Sequence, residues 1–118
     1  MLSKRHRLPG SVFSADLGHK SGNVFRPAVR DGLFSVKMAP SPLTVTRFGV
    51  IVGKNIDKRA AKRNHLKRIV YNWLQKNIVY FQGGRDILII VLPYVKNLRR
   101  NDIEKSLSGL LLSKLPHL

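Results

Sequence analysis

The chain has 118 residues, of which 22 are Lys or Arg and six are Asp or Glu, so its formal net charge is +16 at neutral pH. A hydrophobic fraction of 43% is that of an ordinary globular domain, and we predict one folded domain over residues 1–118. The absence of Cys excludes disulfide frameworks and Cys-ligated zinc; because no segment is apolar over the length of a membrane span or a signal peptide, we expect a cytoplasmic protein.

The first predicted element is a short helix over residues 11–18, which begins at a serine N-cap and ends at a glycine. Two strands follow, over residues 24–29 and 33–38, and the second alternates apolar with polar side chains as a half-buried strand does. Pro40 and Pro42 are expected to end it.

Residues 47–52 and 86–92 are apolar and β-branched, which predicts two central strands. The helix between them has apolar residues spaced 3, 1, 3 and 1 apart, the stripe of a helix that packs on a sheet. These residues are Leu66, Ile69, Val70, Trp73 and Leu74.

A last helix is predicted from near Asn101, with Glu104 as its capping-box partner. Its apolar face carries Ile103, Leu107, Leu110 and Leu111. The resulting order α-β-β-β-α-β-α favours an α+β fold of two layers.

The high positive charge indicates a polyanionic partner, with nucleic acid ahead of a membrane surface because no long helix carries one basic face throughout. The six acidic residues lie in five separate segments, whereas metal-assisted hydrolysis needs carboxylates close together. The four histidines have no metal-ligand spacing. A nuclease site within this chain is therefore the less favoured hypothesis.

Seven of the fifteen residues in the segment 54–68 are basic, and Asp57 is its one acid. At 100° per residue, Arg59, Lys62 and Arg63 fall on the side of the apolar stripe. The first turns of the helix are therefore expected to project beyond the sheet or to begin irregularly, and to present these cations to a partner. The opposite side can also face RNA, and it carries Asn64, Arg68, Tyr71 and Gln75. A solvated basic helix is the alternative, but we favour a surface that binds RNA phosphates.

These residues resemble the protein subunit family of bacterial ribonuclease P. The family signature joins Arg-x-Gly, apolar residues and a Lys-Lys pair to a helix with Ala-x-x-Arg-Asn-Arg-x-Lys-Arg. The matching residues are Arg47, Gly49, Val50, Val52, Lys54, Ala60, Arg63, Asn64, Lys67 and Arg68. Three residues depart from the pattern: His65 replaces the second Arg of the triplet, Asn55 the second Lys of the pair, and Tyr71 an Arg.

The resemblance implies a ribosomal-protein-S5-domain-2-like fold with a left-handed βαβ crossover. It also implies a protein that assists a catalytic RNA, with Mg²⁺ bound mainly by that RNA, in removing the 5′ leader of precursor tRNA. The implied partners are ribonuclease P RNA and precursor tRNA, with no membrane and no obligate protein partner. A small basic ribosomal or ribosome-assembly protein is the alternative.

Two groups of site residues follow from the resemblance. The predicted binding residues for the catalytic RNA are Arg59, Lys62, Arg63, Asn64, His65, Lys67 and Arg68. The leader-binding cleft is expected to involve Phe13, Leu17, Ile51 and Lys54. Two roles are possible for Phe13, which either stacks on a base or belongs to the core. Two roles are also possible for Arg47, which either contacts RNA or is structural. We predict no catalytic residue and no metal ligand in this chain.

Overall fold

The computed structural model describes residues 4–8, 25–40, 45–81 and 83–114. Within them, four strands form a sheet in the order β1-β2-β4-β3. The strands are β1 (Arg26–Arg30), β2 (Phe34–Pro40), β3 (Arg47–Ile51) and β4 (Arg85–Val91). β2 runs antiparallel to both of its neighbours, and β3 runs parallel to β4.

Two α-helices are described, α1 (Ala60–Lys76) and α2 (Arg100–Leu107). The chain continues from α2 with π-helical hydrogen bonding over Ser108–Lys114, and a short 3₁₀ helix, Pro93–Asn97, lies between β4 and α2. Two of the three predicted helices and all four predicted strands are present among the described residues, which confirms the α+β fold. The helix predicted over residues 11–18 lies outside the described residues.

The main core lies between the helices and one face of the sheet. All five apolar residues of the predicted α1 stripe are buried there, as are Ile103, Leu107, Leu110 and Leu111 from the last helical segment. Alternate residues of β4, Ile87 and Ile89, meet them from the sheet. The spacing of apolar residues therefore predicted which side of each helix packs on the sheet.

The other face of the sheet carries a smaller apolar cluster. Leu88 of β4 is fully buried in it, together with Leu8, Phe25 and Ala39. Ile51 is half-buried and packs against this cluster. The side chain of Ile51 thus lies on the sheet face opposite the two helices.

The outer edge of β3 is covered by two groups from elsewhere in the chain. Leu8 N–H donates to the Phe48 carbonyl at 2.8 Å, and the Tyr71 hydroxyl accepts a hydrogen bond from Val50 N–H at 3.2 Å. Because an uncovered edge strand offers unpaired backbone groups to other chains, these contacts protect the edge.

Two local predictions are corrected. The capping box of Asn101 and Glu104 is wrong, because α2 begins at Arg100 after the N-cap residue Arg99, which places Asn101 inside the first turn. Pro40 does not stop the strand before itself but is the last residue of β2, where it pairs with Arg85. Pro42 lies outside the described residues.

α1 connects the parallel strands β3 and β4, so the two strands end at the same edge of the sheet. The left hand of this crossover, implied by the resemblance, stays a prediction. Among the described residues, no helix combines the length and the apolar character that crossing a membrane requires.

Candidate nucleic-acid interface

The turn that leads from β3 into α1 is organised by Asp57, whose side chain is only 7% exposed. Its Oδ1 accepts hydrogen bonds from the backbone N–H of Arg59 at 2.9 Å and from the Arg59 Nε at 3.1 Å. Its Oδ2 accepts one from Arg59 Nη2 at 3.0 Å. Hydrogen bonds from the Arg59 side chain and backbone hold the pKa of the Asp57 carboxyl far below its usual range. The single acid of the basic segment is therefore hydrogen-bonded to one cation, Arg59, and the charge of Lys96 also lowers its pKa.

Arg63 ties the same turn to the helix. Its Nη1 donates to the carbonyl oxygens of Asp57 at 3.0 Å and Lys58 at 2.8 Å. Two of the predicted RNA-binding residues, Arg59 and Arg63, thus also have structural roles. A guanidinium has five N–H donors, so each side chain keeps N–H groups beyond those used in these bonds.

We call the seven predicted RNA-binding residues the α1 basic surface: Arg59, Lys62, Arg63, Asn64, His65, Lys67 and Arg68. The five that remain after Arg59 and Arg63 lie on the first turns of the helix. Lys62, Asn64, His65 and Arg68 are exposed and Lys67 is half-buried, whereas the first buried residue of α1 is Leu66. Within the described residues, the structure shows no hydrogen bond or ion pair to any of these five side chains. No residue of α1 before Leu66 is buried, which agrees with the prediction that the first turns do not pack in the core.

The side of α1 opposite the apolar stripe is exposed in its N-terminal part and half-buried at Tyr71, further along the helix. Asn64 and Arg68 face solvent, but Tyr71 is half-buried with its hydroxyl against the edge of β3. Burial raises the pKa of the Tyr71 hydroxyl. The expectation that this whole side can face RNA therefore holds only for its N-terminal part.

Arg47 has a structural partner. It donates from Nε to Asp86 Oδ1 at 2.9 Å and from Nη2 to Asp86 Oδ2 at 2.7 Å, and the Asp86 side chain is fully buried. Such a forked pair fixes both side chains on neighbouring strands. Of the two roles left open for Arg47, the structure favours the structural one.

The predicted leader cleft is described in part. Ile51 ends β3 on the sheet face opposite the helices, and the exposed Lys54 follows three residues later. Phe13 and Leu17 lie outside the described residues. Ile51 and Lys54 therefore share one end of β3, and their relation to the first helix stays a prediction.

A cavity of about 390 Å³ lies where β3 and β4 end, and we call it the strand-end cavity. Its charged lining residues are Lys54, Asp57, Lys58, Arg59 and Lys96. The sequence prediction did not include Lys58 or Lys96. The pattern that could have indicated Lys96 is the strand-helix-strand order, because parallel strands joined by a crossover helix end at the same edge.

No group of three or more His, Asp or Glu side chains that could hold a metal ion occurs within the described residues. Mg²⁺ is commonly held by one or two carboxylates together with phosphate oxygens and water, so the prediction of no metal ligand in this chain stays a prediction.

The model of the Ribonuclease P family matches residues 23–115, which is most of the chain. The chain belongs to the ribonuclease P protein family. The ribonuclease P protein component of Desulforapulum autotrophicum is 35% identical over 77 residues, which are 65% of this chain and 65% of that protein. The component of Chromobacterium violaceum is 40% identical over 67 residues, 57% of this chain and 47% of that protein. The matched part thus spans about half to two thirds of the length of these curated relatives.

The ribonuclease P fold extends over nearly all of the chain. The ribonuclease P protein of Staphylococcus aureus superposes with a TM-score of 0.76 at 21% identity, covering 92% of this chain and 94% of that one. At this identity the likeness shows the fold. Membership of the ribonuclease P family does not favour the alternative of a small ribosomal protein.

Proposed function

We propose that the chain is the protein component of ribonuclease P, which binds a catalytic RNA and assists it in removing the 5′ leader from precursor tRNA. The observation that supports this most strongly is the basic surface on the first turns of α1. Lys62, Lys67 and Arg68 are cations without an acidic partner among the described residues, in a chain of this family. We propose the cytoplasm as its location, because bacterial transcripts are made there.

The cations of the α1 basic surface bind phosphates of the catalytic RNA. Asn64 offers both a donor and an acceptor, so it can bridge the RNA backbone and a base edge, and neutral His65 can still form hydrogen bonds. Each phosphate that is neutralised releases counterions, which makes binding depend on salt. Six to ten such contacts imply that affinity falls by roughly 10³ to 10⁵ between 50 and 200 mM salt, a magnitude that applies to duplex DNA.

The leader contact gives the complex its preference for precursor over mature tRNA, because only the precursor carries a leader. Lys54 would meet a leader phosphate, and Ile51 and Leu17 would form the apolar floor of the cleft. Phe13 would stack on an unpaired base, an interaction worth roughly 1 to 3 kcal/mol and tolerant of sequence.

We assign hydrolysis to the RNA partner. Mg²⁺ bound mainly by that RNA would supply an activated water and would neutralise charge at the reacting phosphate. The chain contributes positive charge instead: a protein of net charge +16 lies between two polyanions and reduces their repulsion, which lowers the Mg²⁺ concentration that the reaction needs.

Reconstitution tests this proposal. The purified chain, mixed with the ribonuclease P RNA of its source organism at a Mg²⁺ concentration too low for the RNA alone, should restore removal of the leader from precursor tRNA. A ribosomal protein would not restore it. Cleavage by the chain in the absence of any RNA partner would show that it is itself a nuclease and would contradict the proposal.

A further inference from the structure

The strand-end cavity brings together cations from two separate parts of the chain. Lys54 and Lys58 follow β3, whereas Lys96 lies in the 3₁₀ helix Pro93–Asn97 that follows β4. They meet because β3 and β4 are parallel neighbours and both end at this edge of the sheet. The cavity also includes Arg59, so it is continuous with the α1 basic surface.

The charge of the strand-end cavity is largely uncompensated. The one acidic residue in its lining, Asp57, has both carboxylate oxygens bonded to Arg59, and it interacts with Lys96 through charge alone, beyond ion-pair distance. Among the described residues, no hydrogen bond or ion pair reaches the ammonium groups of Lys54, Lys58 or Lys96. A concave surface with three such cations attracts an anion, and a phosphate can accept hydrogen bonds from all three.

An exposed aromatic residue precedes Lys96 by two positions in the same 3₁₀ helix. Tyr94 is 78% exposed, although its neighbour Val95 is buried and anchors the 3₁₀ helix to the core. The Cα atoms of Tyr94 and Lys96 can be at most about 7 Å apart. A solvent-exposed ring in the same short helix as a cation of a basic cavity is a combination with which proteins bind single-stranded RNA, because bases stack on aromatic side chains along a basic groove.

We propose that the strand-end cavity and Tyr94 form a binding subsite for an unpaired RNA nucleotide. Lys54, Lys58 and Lys96 contact its phosphate, and Tyr94 stacks on a base. The nucleotide is unpaired because a base within a duplex does not offer its face to a side chain. This inference rests on the proposed function, and it adds the segment after β4 to the parts of the chain already proposed to bind RNA, which are α1, the end of β3 and the predicted first helix.

Two variants with matched controls test the subsite. Lys96→Gln and Tyr94→Ala change side chains that lie on the surface. Lys76→Gln and Tyr80→Ala make the same changes at exposed residues near the far end of α1, about 24 Å from its start for a helix of 17 residues. Binding is measured to the ribonuclease P RNA of the source organism, and, for the assembled complex, to precursor tRNA with an unpaired leader and to mature tRNA.

We expect Lys96→Gln to weaken binding about threefold to tenfold and to reduce the slope of log affinity against log salt by about 0.7, the value for one phosphate contact on a single strand. Tyr94→Ala should weaken binding roughly fivefold or more. If the variants lose affinity for ribonuclease P RNA, the nucleotide belongs to that RNA. If they lose affinity for precursor tRNA but not for mature tRNA, it belongs to the leader.

The subsite is contradicted if both variants bind every RNA within twofold of their controls while Lys67→Gln combined with Arg68→Gln weakens binding. If the α1 variant also has no effect, the proposed function fails together with the subsite. Loss of binding to a polyglutamate probe in Lys96→Gln, with RNA binding unchanged, would assign the cavity to an acidic protein partner instead.

Discussion

Arginine and lysine have different roles in the basic segment. Arg59 and Arg63 bond to Asp57 and to backbone carbonyls of the turn, whereas Lys62 and Lys67 have no partner among the described residues. The planar guanidinium suits this division, because it can hold the turn with some N–H groups and still present others to a phosphate. The basic surface is thus positioned partly by its own cations.

The first prediction concerns the pH dependence that Asp57 gives to folding. The pKa of Asp57 is lower in the folded chain than in the unfolded chain, where it is about 3.9. Its stabilising effect is therefore fully present above the unfolded-state pKa and is lost as the pH falls toward and through the folded-state pKa. Asp57→Asn should therefore lower the Tm at pH 7 and at pH 5, with a smaller difference from wild type at pH 3. Thermal unfolding followed by circular dichroism measures this, and an equal difference at all three values would contradict it.

The second prediction concerns Tyr71, which accepts the Val50 N–H at the sheet edge. Tyr71→Phe leaves this partly buried donor without its partner and should cost about 1 kcal/mol of unfolding free energy. Tyr80→Phe is the matched control, because the Tyr80 side chain is 68% exposed. Denaturant unfolding of the two variants compares them. Equal stability would show that the Tyr71 hydroxyl contributes nothing to the edge.

At the scale of elements, the apolar periodicity predicted α1, α2 and the strands because each buries one regular face against the same core. The partners of Arg47, Arg63 and Tyr71 could not be predicted in this way. Arg47 meets Asp86 across 39 residues, and the bond from Val50 to Tyr71 spans 21, so both depend on how the strands and α1 come together. A basic residue in a pattern indicates charge, and only its neighbours in the fold decide whether it binds the protein or RNA.

The third prediction separates the turn from the helix surface. Arg63→Ala removes two bonds to the turn, so it should speed hydrogen exchange at the Ile56 N–H, which donates to the Gly53 carbonyl at 3.0 Å, and should also weaken RNA binding. The adjacent Asn64→Ala should weaken RNA binding while leaving that exchange rate unchanged. Amide exchange measured by NMR tests both, and an unchanged rate in Arg63→Ala would remove its role in ordering the turn.

At the scale of the whole molecule, a net charge of +16 opposes compaction by self-repulsion. The fold places part of this charge at the edge where β3 and β4 end and α1 begins. Counterions or bound phosphates at this edge relieve the repulsion, so RNA binding should also stabilise the folded chain. The parallel pairing of β3 with β4 thus brings the cations that follow each strand to one edge of the sheet, where RNA is proposed to bind.

The most direct test of the account is the salt dependence of binding to ribonuclease P RNA. The combined variant Lys62→Gln, Lys67→Gln and Arg68→Gln removes three cations of the α1 basic surface. Its control, Arg30→Gln, Lys76→Gln and Lys105→Gln, removes the same charge from exposed residues elsewhere. The account predicts that the slope of log affinity against log salt falls by about 2 in the first variant and changes little in the control. An equal change of this slope in both variants would contradict a specific RNA-binding role of the α1 basic surface, because net charge alone would then explain the binding.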